Sequence, residues 1–314
     1  MGVFSSTLNQ MGFLMLLIAI GYVLTKFNFV EETGAKILSK LENYLFIPAL
    51  VLSTFITNFT VKSFETAWKY LLTGTVVVLL SAVFAVFASK LCTKDDYIRK
   101  IYTYGLSFAN FGFMGNAVVA TLFPDIFMEY LICVLPFWTL IYVWGVPYLL
   151  MPQTSGKKVI ASGLKKLINP MFIAMLVGML IGIFSIPLPS FVGSVVSSLG
   201  ACMSPVAMLL TGMTIAKINL KATFTNLSIY AVSLIRLIIM PLIAIAVLLV
   251  LDLPYGLSLC IVCALAMPLG LNTVVVPAAY GKDTSVAAGM ALISHLLSLI
   301  TIPVIFMLFR YLIK

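Results

Sequence analysis

The sequence predicts an all-α integral membrane protein of ten transmembrane helices arranged as two inverted five-helix repeats. Three observations carry that reading. The 314 residues are 62% hydrophobic and 9% charged, where a soluble domain carries roughly 25% charged residues. Long apolar runs recur at a spacing of about 30 residues, which suits membrane helices joined by short loops. The two halves of the chain also match each other weakly, in register.

A helix needs about 20 residues to cross the hydrocarbon core. Ten runs qualify: 4–25, 34–57, 67–91, 101–123 and 127–150, then 170–187, 191–215, 224–251, 255–280 and 285–312. They lack the period-two alternation of membrane strands. The first run has no basic n-region and no clear small-residue cleavage site, so it reads as a retained helix. The runs define a first repeat over 1–151, a cytoplasmic linker over 152–168 and a second repeat over 169–314.

Cytoplasmic loops hold Lys and Arg in excess. Lys26, Lys36, Lys40, Lys90, Lys94, Arg99 and Lys100 fall on one side with Lys157, Lys158, Lys165, Lys166, Lys217, Lys221 and Lys282. The opposite side holds Lys62, Lys69, Arg310 and Lys314. The chain is therefore expected in the cell membrane with both termini extracytoplasmic. The net charge of +9 comes from these loop clusters, so it points to a lipid bilayer as partner and away from nucleic acid.

Self-similarity fixes the repeat. Gly21 pairs with Gly178 and Pro48-Ala49 with Pro205-Val206 at an offset of 157, and Asn116-Ala-Val-Val119 pairs with Asn272-Thr-Val-Val275 at 156. Each half has an odd number of spans, so the halves must point in opposite directions, as in many alternating-access carriers.

The candidate site lies in the fourth and ninth runs, which contain Asn110-Phe-Gly-Phe-Met-Gly-Asn116 and Met267-Pro-Leu-Gly-Leu-Asn272 near their middles. Gly112, Gly115, Pro268, Gly270 and Pro277 weaken the backbone ladder, and interruptions at membrane depth are tolerated where they face protein or a water-filled cavity. A half-helix N-terminus carries unpaired N–H groups and a positive partial charge, so it can receive a carboxylate. Asn116 and Asn272 would add amide donors, while the same small and polar residues also suit close helix packing.

Pro48 and Pro205 are expected to kink their helices, with Thr54, Thr211 and Gly212 nearby. Arg236 lies mid-span, where a charge is costly and is a functional candidate by default. It has two readings, an anion partner or a bond to carbonyls of a broken helix. Glu42, beside Asn43, is a candidate for a coupling proton or a carboxylate snorkelling to the cytoplasm. His295 is either a proton-binding group or a packing hydrogen bond.

Several classes are disfavoured. No helix centre carries an Asp pair, no Walker A sequence is present, and a single histidine without a Cys/His cluster argues against catalytic zinc. No cofactor is implied. Cys260 and Cys263 have CxxC spacing inside an apolar run without a βαβ pattern, and the five cysteines read as packing residues. The myristoylation-like start Met1-Gly2 and the sequons at Asn58 and Asn226 are short enough to arise by chance.

These motifs resemble the auxin efflux carrier family, in particular its bacterial permeases. The similar segments are Asn43 to Ala49, Asn110 to Asn116, Ser204-Pro205 to Gly212, Arg236 with Pro241, and Pro268 to Asn272. The resemblance implies a scaffold of helices 1, 2, 6 and 7 and a mobile transport domain of helices 3–5 and 8–10. Helices 4 and 9 would cross at their unwound centres and bind substrate there, placing Asn110, Gly112, Gly115, Asn116, Pro268, Gly270, Asn272 and Thr273 at the site. Members carry organic anions, auxin in plants and acids such as malate or malonate in bacteria. The absence of a long central hydrophilic loop favours the compact bacterial type. The expected function is therefore permease activity toward small carboxylates by alternating access, with a proton as one candidate coupling ion. The alternatives are a sodium-coupled symporter using groups such as Ser107 or Thr273, and a membrane receptor that binds without translocation. A homodimer is compatible with the chain.

Overall fold

The computed structural model describes residues 2–151, 168–216 and 226–313. All regular elements among them are helical. The first half comprises α1 (Gly2–Lys26), α2 (Glu32–Leu41), a π-helical turn (Glu42–Phe46), α3 (Ile47–Asn58) and α4 (Val61–Cys92). There follow α5 (Asp96–Ser107), a π turn (Phe111–Gly115), α6 (Asn116–Leu122), and α7 (Phe127–Leu140), which continues as π-helix over Ile141–Leu150. The second half comprises α8 (Pro170–Ile183), α9 (Ser190–Ala201), α10 (Met203–Ile215), α11 (Leu227–Leu234), a π turn (Ile235–Ile239) and α12 (Met240–Leu251). It ends with α13 (Tyr255–Ala266), α14 (Asn272–Ala279) and α15 (Ser285–Leu312).

Among the described residues six helical stretches are long and apolar enough to cross a membrane: Ser5–Lys26, Val61–Cys92, Pro124–Leu150, Ser190–Ile215, Leu227–Leu251 and Ser285–Leu312. Phe111–Leu122, Pro170–Ile183 and Tyr255–Ala266 are shorter apolar helices. Large apolar side chains such as Leu16, Leu80, Phe87 and Val250 stand exposed on the outside, a surface that suits lipid. The expected linker over 152–168 lies almost wholly outside the described residues, as do Lys217 and Lys221.

Helix ends depart from the apolar runs where capping chemistry decides them. α4 starts at Val61 rather than 67 because Thr60 accepts from the Ser63 N–H at 3.2 Å. α5 starts at Asp96 rather than 101, capped by Asp95, which accepts from the Ile98 N–H at 2.9 Å. A side-chain oxygen at the N-cap satisfies an orphan donor and extends the helix into polar sequence. α8 ends at Ile183 rather than 187: Ser185 adopts a left-handed φ of 48°, and the Ile186 N–H turns back to the Ile181 carbonyl at 3.0 Å, a C-terminal stop reinforced by Pro187. The stretch before Pro48 is wound as a π turn, and that before Pro205 breaks at Cys202 between α9 and α10. Both irregularities precede the proline whose ring and missing N–H oppose a regular ladder.

The helices associate in a definite pattern. α1 packs on α10 and α15, α3 on α8 and α9, α4 on α5 and α7, and α11 on α15. Glycines set the closest approaches, since without a large hydrophobic drive in lipid close van der Waals packing holds helices together. A Cβ on Gly21 would press on the Leu209 carbonyl oxygen, one on Gly212 on that of Ile18, and one on Gly74 on that of Cys133. Gly12, on the same helix as Gly21, has nothing within 4 Å of such a Cβ.

Gly21→Ala is accordingly expected to lower the thermal midpoint of the purified protein, by the equivalent of about 1–3 kcal/mol of overpacking. Gly12→Ala should leave it unchanged or raise it. Equal midpoints for the two variants would contradict the α1–α10 contact.

Candidate functional site

Two helices are interrupted, and the sequence explains where. A residue before proline is driven out of the α region, and Met267, before Pro268, is extended at φ −73° and ψ 150°. Pro268 cannot donate to the preceding turn, so α13 stops at Ala266 and α14 resumes at Asn272. In the other helix α5 ends at Ser107, Phe108 is extended at φ −126° and ψ 107°, and the chain rewinds as the π turn from Phe111, closed by the Gly115 N–H on the Asn110 carbonyl at 2.9 Å.

The interruptions meet. Ala109 and Leu269 form an antiparallel bridge, and the Asn110 N–H donates to the Pro268 carbonyl at 2.7 Å. Gly270 makes this approach possible, because a Cβ there would lie 3.0 Å from the Phe108 carbonyl oxygen and 3.3 Å from that of Ala109. α15 supports the junction from one side. Ser294 Oγ accepts from the Leu269 N–H at 3.2 Å, and His295 Nε2 faces Asn110 Nδ2 at 3.0 Å. His295 Nδ1 lies 2.7 Å from the Ala291 carbonyl. That carbonyl can only accept, so Nδ1 carries the proton and Nε2 accepts from Asn110. From the other side Tyr130 donates to the Phe111 carbonyl at 3.1 Å, and Gly112 lies against the Trp138 ring.

Arg236 occupies the junction with no exposed surface. Its Nη1 donates to the Leu106 carbonyl at 3.0 Å, its Nη2 to that of Ala264 at 2.9 Å and its Nε to that of Met267 at 3.2 Å. Leu106 belongs to the last turn of α5, Ala264 to the last turn of α13, and Met267 follows it. One guanidinium thus satisfies carbonyls at the C-terminal ends of both half-helices, where a cation is also favoured by the helix dipole. Of the two sequence readings of Arg236, this geometry is that of the carbonyl bond.

The paired asparagines have different surroundings. Asn272, half-buried, donates from Nδ2 to Tyr104 Oη at 2.9 Å. Asn116 is 2% exposed and its Oδ1 has no hydrogen-bond partner. Thr273 is buried and spends its hydroxyl on the Gly270 carbonyl at 2.8 Å. Glu42 lies apart from the junction. It opens the π turn packed among α2, α3, α8, α9 and α10, is fully buried, and has neither carboxylate oxygen paired.

A cavity of about 540 Å³ sits beyond the far end of α6, lined by Ser6, Thr7, Phe123, Asp125, Tyr255 and Arg310 among others. It includes none of the junction residues. Its walls come from α1, from the segment after α6, and from the ends of α13 and α15.

Sequence reasoning overlooked Tyr104, Tyr130 and Ser294. Ser294, His295 and Ser298 form the one polar cluster within the apolar stretch of α15, which could have drawn notice. Nothing in the sequence signals that the Tyr104 and Tyr130 hydroxyls reach the junction.

Fold and geometry together describe a membrane-type helical protein built around two interrupted helices. No curated protein matches the chain. The family model described as membrane transport protein matches residues 6–306, nearly the whole length. The chain belongs to that membrane transport family, the auxin efflux carrier family.

Proposed function

We propose that this protein is a secondary carrier of small organic anions such as malate, malonate or similar carboxylates, working in the cell membrane by alternating access. The observation that carries the reading is the division of labour at the junction. Arg236 occupies the carbonyl ends of α5 and α13, which leaves the opposite ends, the start of the Phe111–Leu122 helix and of α14, as amide-bearing termini of positive partial charge. Such termini take carboxylates at the midplane of many carriers.

Ten spans in two inverted repeats complete the proposal. The close contact of Gly21 with Leu209 has a counterpart in that of Gly178 with Leu52, and both residue pairs are related by the same offset of 157. Helix pairing supports a scaffold of helices 1, 2, 6 and 7, since α1 meets α10 and α3 meets α8 and α9, with helices 3–5 and 8–10 as the moving body. In this arrangement Ser6 and Thr7 face the other cavity-lining residues across the boundary between the two bodies, so the cavity is a route to the extracytoplasmic side. Sliding one body past the other carries the junction across the membrane.

Proton coupling is favoured over sodium by Glu42. Its carboxyl is fully buried with neither oxygen hydrogen-bonded, and an ionisable group inside a span is by default a candidate for a proton relay.

Uptake of labelled malate, malonate and lactate into proteoliposomes tests the reading. Wild type should concentrate at least one of them under an imposed pH gradient, and Asn116→Ala and Asn272→Ala should each lower uptake at least tenfold while folded protein is recovered. Absence of transport across a broad set of mono- and dicarboxylates would overturn it. Glu42→Gln, a permanently neutral side chain of the same shape, should keep substrate exchange but lose stimulation by the pH gradient. Stimulation that persists in the variant, or a sodium requirement in wild type, would reassign the coupling.

A further inference from the structure

A second carboxyl besides Glu42 has a buried, unpaired oxygen. Glu129, in the first turn of α7, encloses one carboxylate oxygen without a hydrogen-bond partner, while its other oxygen is turned to its own backbone N–H. That bond is what a helix N-terminus offers an acidic residue, and it explains only half of the group. Turning the carboxyl over exchanges two identical oxygens, so one stays enclosed in either pose. Among the described residues Glu129 forms no ion pair. Its ionisable neighbours are Tyr70 of α4, Cys133 one turn further along α7 and Cys260 of α13. α3 and α6, which also pack on α7, bring no ionisable side chain. Asp125, in the turn before α7, is exposed to the cavity, as is Arg310.

Glu129 stands directly behind the wall of that cavity. Ile126, one turn earlier, lines it, as do Tyr255 and Leu259, the residue next to Cys260. A Cβ on Gly256 would lie 3.6 Å from Tyr70 Oη and 3.8 Å from Ile126 Cγ2, so the neighbours of Glu129 and the cavity wall meet there. A coupled carrier must give its proton access from one side at a time, and ionisable groups within spans mark such pathways. Resting on the proposed function, we propose that Glu129 is a proton-binding site carried on the moving body and loaded through this cavity from the extracytoplasmic side. Tyr70, Cys133 and Cys260 belong to the same body as Glu129, so its surroundings travel with it. Ser6 and Thr7, on the opposite wall, belong to the scaffold, so sliding opens or closes the water route without disturbing the carboxyl's own contacts. Glu42, in the scaffold just after Lys40, stands toward the other face.

Dicyclohexylcarbodiimide, which reacts with protonated carboxyls in apolar surroundings, reads the site in the unaltered protein, the modified residue being identified by peptide mass mapping. In sealed proteoliposomes of one orientation, the pH of one face is varied while the other is held. Modification of Glu129 should follow the extracytoplasmic pH and fall about tenfold for each pH unit above the group's own midpoint. Modification that follows the cytoplasmic pH, or none at any pH, would overturn the inference and leave the carboxylate carrier standing. The expected modification in a protein that takes up no carboxylate would leave the proton site standing and overturn the carrier. In folded Glu129→Gln the stimulation of uptake by a pH gradient should be lost. Stimulation of wild-type size in that variant would overturn the part of Glu129 in coupling.

Discussion

The junction depends on one buried cation. Two helices that stop in mid-span leave carbonyl groups without partners, and in hydrocarbon each such group costs several kcal/mol. Arg236 answers both stops with a single planar group, because a guanidinium presents five donors in a fixed fork and can reach carbonyls from two directions at once. Its bonds to Leu106, Ala264 and Met267 make the charge tolerable and the interruptions stable. Neither half of this exchange would survive alone. A lone arginine at that depth would be expelled, and two open helix ends would rewind or fill with water.

The rest of the arrangement follows from that clamp. With the carbonyl ends held together, the backbones come close enough for the Ala109–Leu269 bridge and the Asn110 to Pro268 hydrogen bond. Gly270 is required by the same proximity. α15 then completes the supporting side through Ser294 and His295, which assigns His295 to fixing the Asn110 amide. On the proposed reading the anion binds on the other side of the junction, at the amide ends.

Much of this was legible in the sequence because it rests on backbone chemistry. Pro268 removes a donor and Gly270 removes a side chain, so the interruption of the ninth run could be read directly. Asn110 to Asn116 was legible for the same reason. Helix limits were less so, since α4 and α5 begin in polar sequence held by Thr60 and Asp95, which an apolar-run argument passes over. The equivalence of Asn116 and Asn272 in sequence concealed their difference in space. One donates to Tyr104 and the other is an orphan, and that distinction depends on side chains far away in the chain. Arg236 was seen as costly, but choosing between its two roles required knowing which carbonyls face it.

The central claim is that the amide ends left free by Arg236 receive the substrate's carboxylate. Backbone hydrogen exchange of the purified carrier, followed at 111–114 and 270–272 with and without saturating malate, tests it most directly. The account expects slower exchange in both segments, with far smaller changes in α1 and α8. Substrate transported by the same preparation without protection in either segment would contradict it.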